Sequence, residues 1–266
     1  MKSTGKQLIL TGLDDNEKVD FPTIKVAPTG DLLTDIEEYC DLFQIPIEHF
    51  IKLLSDQKVV PMIRGKAIEF ASYDYLLNIL DNEIWEVTKL NLNAQPNSPD
   101  EDIAIKHIET NELIKIEVKS AVRNSFYLGT GRTKIKVPHY SVKCHRSRSN
   151  FINELNDRYL VTDFDLLINS PSNSLIINGE EFLIINNAAS LKFLSQYYQE
   201  IDPLSLFKKS CQDIRVVRPT DIKTTYKNRE VIPRNPKVLY VNDPHWKNIS
   251  EIEIMLFAIL KDRGYN

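Results

Sequence analysis

The chain has only three cysteines, Cys40, Cys144 and Cys211, far apart and without a CxxC pair. That excludes a disulfide framework and a structural zinc site of the usual spacing, and it predicts reduced thiols. Long apolar runs are missing as well. None approaches the roughly 18 residues needed to span a bilayer, and the start, Met1-Lys2-Ser3-Thr4-Gly5, lacks a signal-peptide core. The expectation is a cytoplasmic protein with no membrane partner. The eight glycines form no GxGxxG, P-loop or GxSxG arrangement, which leaves dinucleotide enzymes, NTPases and serine hydrolases unsupported. The five histidines (His49, His107, His139, His145 and His245) show neither metal-ligand spacing nor an HNH-like pattern. Internal repeats and low-complexity tracts are absent.

The most telling shortage is of acid. Between Glu117 and Glu154 there is no Asp or Glu, yet eight bases occur: Lys119, Arg123, Arg132, Lys134, Lys136, Lys143, Arg146 and Arg148. His139 and His145 fall in the same stretch. Residues 1–102, by contrast, carry nineteen acidic residues against nine Lys/Arg, so the net charge of −4 hides a strong asymmetry. A basic segment in an acidic chain points to a localised polyanion site. The plainer reading is a solvated strand face balanced by acidic neighbours.

With 266 residues, 42% of them hydrophobic and 26% charged, the chain can bury a sizeable core as one large domain or a domain with an appendage. The expected division is 1–60, an irregular arm and small helical region, and 61–266, the main body; a single domain throughout is the alternative. One strand is expected in the arm, at Gln7–Leu10. Leu32, Leu33, Ile36, Tyr39, Cys40 and Phe43 recur at helical spacing, and Pro46 ends that pattern and starts a second helix. Such a pair can be a helix-turn-helix, but packing helices are commoner and the second has few bases to offer DNA. Residues 61–65 read as a break before a helix over 66–80, with Glu69 in its first turn, where the helix dipole favours a carboxylate. Its company of Tyr73, Leu76 and Leu80 is apolar, so this carboxylate needs a partner.

A strand over 83–92 leads to the most informative stretch, residues 99–119. Two alternating runs, Asp102–His107 and Leu113–Lys119, flank a polar link and predict a β-hairpin. A turn centred on Thr110-Asn111 sets Asp102 across from Lys119 and Ala104 across from Glu117. Ile103, Ile105, Ile114, Ile116 and Val118 then form a core face, while Asp102, Ala104, Glu117 and Lys119 share the other. Beyond it, Phe126–Leu128, Lys134–Val137, Tyr140–Lys143 and the whole of 159–169 read as strands. A hairpin is expected around Asn178-Gly179 and a helix over 188–199. Residues 208–237 are loop-rich, with nine Lys/Arg against three Asp/Glu, either a second contact surface or a surface excursion. Ser250-Glu251-Ile252-Glu253 has capping-box spacing and opens a terminal helix apolar enough to be buried on nearly all sides.

Two carboxylates a few ångströms apart repel each other, which favours a divalent cation between them. Oxygen-only ligands with open positions suit Mg²⁺, with Mn²⁺ as substitute. A neighbouring lysine can orient or help deprotonate a water and balance charge on a pentacovalent phosphorus. The patch therefore suits phosphodiester hydrolysis, with the basic strands holding the polyanion. Asp163 and Asp165 are a weaker rival metal site. The bland reading of Glu117 and Lys119 is a solvent-facing strand with cross-strand ion pairs.

Pro99-Asp100-Glu101-Asp102, followed by Glu117-Val118-Lys119, resembles the PD-(D/E)xK nuclease superfamily, especially type II restriction endonucleases. Arg64-Gly65-Lys66-Ala67-Ile68-Glu69 looks like the first core helix of that fold, and the run from Ser141 to Arg148 and on to Leu167 is similar to the segment after the ExK strand in several restriction enzymes. The resemblance covers roughly residues 64–169. It implies an α/β architecture (an α+β mixed sheet, restriction-endonuclease-like), with a central mixed sheet flanked by helices. It further implies Mg²⁺-dependent cleavage of double-stranded DNA at a specific sequence, and a homodimer. The implied site is Asp102, Glu117, Lys119 and Glu69, with metal on Asp102 and Glu117. The implied DNA contacts are Arg123, Arg132, Lys134, Lys136, Lys143, His145, Arg146 and Arg148. Asp100 completes the literal Pro-Asp, but the assumed register puts it opposite Ala121, one pair further from Glu117, and Asp102 is preferred. A junction resolvase or repair nuclease, a non-catalytic DNA-binding protein, and a protein with no DNA role are the alternatives.

Overall fold

The computed structural model describes residues 30–42, 44–54, 56, 58–89, 101–129, 131–145, 157–174 and 188–265. The expected strand at Gln7–Leu10, the hairpin at Asn178-Gly179, and residues Asp100, Arg146 and Arg148 lie outside them. The chain divides into two compact units between Leu54 and Ser55. In the first, α1 (Leu32–Leu42) and α2 (Ile47–Leu53) are separated by a turn with Gln44 in the left-handed region and by Pro46, as the sequence pattern predicts. Cys40 is its one buried side chain among the described residues.

The second unit opens with α3 (Val60–Ile79), a helix six residues longer at its start than expected. Pro61 does not break it, because a proline in the first turn gives up an amide that has no helical partner anyway. Gly65 sits in open space on the helix surface and is simply carried along. Glu69 consequently lies in the third turn, where the helix dipole gives no reason for it.

An eight-stranded mixed sheet follows: β1 (Trp85–Lys89), β2 (Ile103–His107), β3 (Leu113–Leu128), β4 (Ile135–Val142), β5 (Leu166–Ser170), β6 (Arg215–Val217), β9 (Lys237–Leu239) and β10 (Lys247–Asn248). Its order is β1-β2-β3-β5-β6-β10, with β4 and then β9 attached to the far half of β3. All pairings are antiparallel except β3 with β5. A separate ribbon is made by β7 (Thr224–Tyr226) and β8 (Arg229–Val231). Helices α3 and α6 (Ile252–Asp262) supply apolar side chains to one face of the sheet, with Ile103, Ile105, Ile114, Ile116, Val118, Leu166 and Ile168. Helices α4 (Ala188–Tyr198) and α5 (Pro203–Gln212) supply them to the other, with Tyr140, Tyr159, Leu167 and Val217. This is a mixed sheet flanked by helices, the coarse architecture that the resemblance implies. Both faces are core, however, whereas the alternation of Asp102, Ala104 and Glu117 led to one open face.

Four further expectations change. Residues 159–165 are not strand. Asp163 folds them into a turn by accepting the Leu160 amide at 2.8 Å while its own amide donates back to Leu160, so β5 starts only at Leu166. Asp165 accepts the Lys115 amide at 2.8 Å and pairs with Arg263 at 2.6 Å, which removes the rival metal site. The capping box closes two residues earlier than expected, between Asn248 and Glu251. Helix α6 is also one-sided: Leu256 and Ile259 are buried, but Ile254 is 72% and Phe257 45% exposed. No helix among the described residues is long and apolar enough to cross a membrane. The three cysteines are unbonded.

Ile105 is fully enclosed in the core beneath the hairpin, so Ile105→Ala is expected to cost about 2–5 kcal/mol. Exposed Ile135→Ala should stay within about 0.5 kcal/mol. Urea denaturation midpoints check both, and equal effects would contradict this core.

Candidate active site

The hairpin of β2 and β3 has the expected parity but a different register. Ile103 pairs with Ile116 and Ile105 with Ile114, which sets Asp102 toward Glu117 instead of Lys119. Ala104 faces Lys115, not Glu117. The cause is a four-residue loop closed by His107 and Glu112, with Asn111 in the left-handed region. The His107 ring meets the Thr110 hydroxyl at 2.9 Å and fixes that loop. Moving the turn centre by one residue moves every pairing by two, so the faces survive and the partners change.

Strand β3 changes neighbours along one edge. The Asp102 amide donates to the Ile116 carbonyl at 3.1 Å, and the Lys143 amide to the Ser120 carbonyl at 3.0 Å. Backbone groups two residues apart point to the same edge, so β2 ends and β4 begins on one side with Val118 between them. The Val118 amide has no strand there and donates at 2.9 Å to Oδ2 of Asp102. The aspartate thus fills a gap in the ladder as well as facing Glu117.

Glu117 is almost wholly enclosed. Its carboxylate pairs with the Lys119 ammonium and accepts the Tyr159 hydroxyl at 3.0 Å on Oε1. Lys119 also lies 5.2 Å from the centre of the Tyr159 ring. Only 3% of the Glu117 side-chain surface is open against 21% of Lys119, so the carboxylate is the more enclosed of the pair. Burial, with the Asp102 charge adding to it, pushes the Glu117 carboxyl up to about 7 despite Lys119 and Tyr159. Burial is the largest single influence on Lys119 and works against its charge, but Glu117, Tyr159 and Asp102 together outweigh it and hold the ammonium above the ordinary lysine range. Asp102 is raised, first by burial and then by the charge of Glu69, with Lys119 and the Val118 amide opposing.

Glu69 reaches this cluster through its field, while its carboxylate is held by Lys66 at 2.5 Å and Lys89 at 3.2 Å. The partner its apolar setting demands is therefore a pair of lysines. Among the described residues no three His, Cys, Asp or Glu converge as a metal cluster. The donors that do converge, Asp102 and Glu117, still fit Mg²⁺, which is commonly held by one or two carboxylates and keeps several waters.

The basic residues whose side chains are described do not form one patch. Arg132, Lys134 and Lys136 are exposed at the far end of the β3–β4 hairpin, with Lys134 4.4 Å from the centre of the Tyr127 ring. That end is nine residues along β3 from Lys119, roughly 30 Å. Lys143 is exposed near the site. His145 is half-buried, 4.0 Å from Asp157. His139 is buried, its ring Nδ1 2.9 Å from the Val137 carbonyl oxygen. The backbone of Arg123 pairs with Ser141.

Sequence reasoning missed Tyr159, Lys89 and Asn169. Asn169 stands beside Lys119 on β5, fully buried, with neither atom of its carboxamide partnered. No short motif marks these residues, because each meets the ExK strand through space. The chain matches no family model, no curated protein and no solved structure.

A carboxyl raised in the folded state binds its proton more tightly there, so its contribution to stability is full below the unfolded value of 4.5 and is lost as pH rises through about 7. Metal-free protein should therefore lose melting temperature between pH 5 and 8, and Glu117→Gln should flatten that slope whatever its absolute stability. Thermal melts across that range check this, and an unchanged slope would contradict the assignment. Tyr159→Phe removes a bond that favours the carboxylate and should raise the Glu117 titration midpoint further, read by carboxyl ¹³C shifts.

Proposed function

We propose that the protein is a Mg²⁺-dependent deoxyribonuclease that hydrolyses phosphodiester bonds in double-stranded DNA, most specifically a type II restriction endonuclease. The observation that carries this reading is the meeting of Asp102 and Glu117 across one hairpin, with Lys119 held against Glu117. Hydrolysis requires water to attack phosphorus, one P–O ester bond to break, and the departing oxygen to gain a proton. Asp102 and Glu117 would hold the cation, and the Tyr159 hydroxyl keeps Glu117 oriented toward Lys119. Bound Mg²⁺ supplies Lewis acidity, which eases deprotonation of water and stabilises a leaving oxygen. The Lys119 ammonium orients the water and balances the charge that gathers on phosphorus. Lys143, exposed where β4 joins β3, meets the adjoining phosphate. A two-fold dimer acting on a two-fold DNA site is part of the same proposal.

Incubating the purified protein with phage DNA and Mg²⁺, then sequencing the ends, tests the reading. Discrete fragments with a common end sequence support a restriction enzyme. Cutting confined to branched DNA moves the protein to a resolvase, and retention on DNA without any cutting makes it a binding protein. Glu117→Ala and Lys119→Ala should abolish cleavage and leave DNA binding measurable. Asp102→Asn keeps an acceptor for the Val118 amide and should fold normally yet not cut. Wild-type rates in Asp102→Asn would overturn the assignment. A folded, active Glu69→Gln protein would restrict Glu69 to pairing with its lysines.

A further inference from the structure

The β7–β8 ribbon stands apart from the main sheet, and its base is tied to the candidate site. The Ile232 amide donates to the Tyr159 carbonyl at 2.9 Å, and the Val161 amide to the Glu230 carbonyl at 3.4 Å. Leu160 and Val231 form an isolated bridge between the same two segments. Further along, the Cys144 and Val142 amides donate to the carbonyls of Arg234 and Pro236 at 2.9 and 3.0 Å. Val231 and Ile232 are fully buried. The descending limb is thus stitched between the end of β4 and the residue whose hydroxyl holds Glu117.

The other end of the ribbon is open and cationic. Lys223, Lys227 and Arg229 are exposed, and Tyr226 lies between Arg158, 4.3 Å from its ring centre, and Lys227, 5.8 Å from it. Lys223 is paired with Glu230 at 2.6 Å, whereas Lys227, Arg229 and Arg158 have no carboxylate partner among the described residues. The tip is a two-residue turn with φ of 48° at Lys227 and 60° at Asn228. Such a turn favours Asn or Gly at both positions, and a lysine there adopts a backbone conformation that its Cβ opposes. The strained choice puts an ammonium with no carboxylate partner among the described residues at the tip of a firmly based ribbon. Cations interleaved with an aromatic ring suit a phosphate backbone.

We infer that the β7–β8 ribbon is a DNA-backbone arm: Lys227 and Arg229 contact phosphates of the duplex whose scissile bond lies at the Asp102–Glu117–Lys119 site. The inference rests on the nuclease reading and adds a recognition element to it. The arm is placed by the same backbone that places Tyr159, so it holds the duplex in a fixed relation to the site.

The full-length protein is titrated with a fluorescent 30-base-pair duplex in EDTA, at salt concentrations from about 50 to 200 mM, a range over which phosphate contacts change affinity measurably. Lys227→Gly relieves the turn, so it should melt no lower than wild type while binding DNA more weakly. With Arg229→Ala added, affinity should fall about tenfold, and the log–log salt slope should become shallower by about 0.9 for each phosphate that the arm no longer neutralises. A stable Lys227→Gly, Arg229→Ala protein with wild-type affinity and slope would overturn the arm and leave the nuclease reading intact. Weakened binding in these variants, in a protein that cuts nothing with Mg²⁺, would uphold the arm and overturn the nuclease. No binding of the duplex by wild type would overturn both, whereas an effect of the variants seen on anionic lipid vesicles but not on the duplex would overturn the arm alone.

Discussion

Strand β3 must change partners on one edge. It leaves β2 after Ile116 and takes up β4 from Ser120, and between these the Val118 amide faces a gap. An unpaired buried amide costs about 1–3 kcal/mol, so the gap has to be filled by a side-chain acceptor reaching from one of the departing strands. Asp102, at the last position before β2, is that acceptor. Its carboxylate is consequently held in place by the fold itself, with one oxygen committed to Val118. The glutamate on the preceding residue of β3 cannot avoid it, and the charge cluster arises from the way the sheet divides.

Once two carboxylates are buried together, the remaining residues are largely determined by charge. Lys119, two positions on, falls on the same face and answers Glu117; Tyr159 adds a neutral donor without adding charge. Glu69 adds a further negative charge, and Lys66 and Lys89 neutralise it where it stands, one turn away on α3 and across on β1. A buried charge left without its partner is strongly destabilising, so each removal should be felt beyond the bond it breaks. On the nuclease reading, Lys119 is also more open than the Glu117 carboxylate it pairs with, so an approaching phosphate meets the ammonium first.

Parity was legible in the sequence and register was not. Alternation in 102–107 and 113–119 shows which residues share a face whatever the turn. The pairing of Asp102 with Glu117 depended on Asn111 adopting a positive φ and on His107 binding Thr110, which no periodicity reports. Proline misled at the start of α3 because its position in the first turn, not its presence, decides whether a helix breaks. At 159–165 the alternating apolar residues imitated a strand, and Asp163 bent the chain by binding the Leu160 amide. The acid-free stretch read as one basic patch. Laid along an extended hairpin it spans roughly 30 Å, so Lys143 stands near the site and Arg132, Lys134 and Lys136 stand at the far end.

That spread changes what the basic residues can do together. On the nuclease reading, a single patch would explain only attraction, whereas cations at the end of the β3–β4 hairpin, beside the site and on the β7–β8 ribbon would meet an extended ligand at separate points. Extended polyanions are bound by many weak phosphate contacts, each contributing modestly and each screened by salt. Three separated points also fix direction, which one patch does not. The ribbon is the most constrained of them, since its descending limb is hydrogen-bonded to β4 on one side and to the Tyr159 segment on the other. Because Tyr159 binds that limb through its backbone carbonyl and Glu117 through its hydroxyl, it links the ribbon directly to a carboxylate of the site. The geometry of the site and the geometry of the arm therefore cannot be varied independently at that residue.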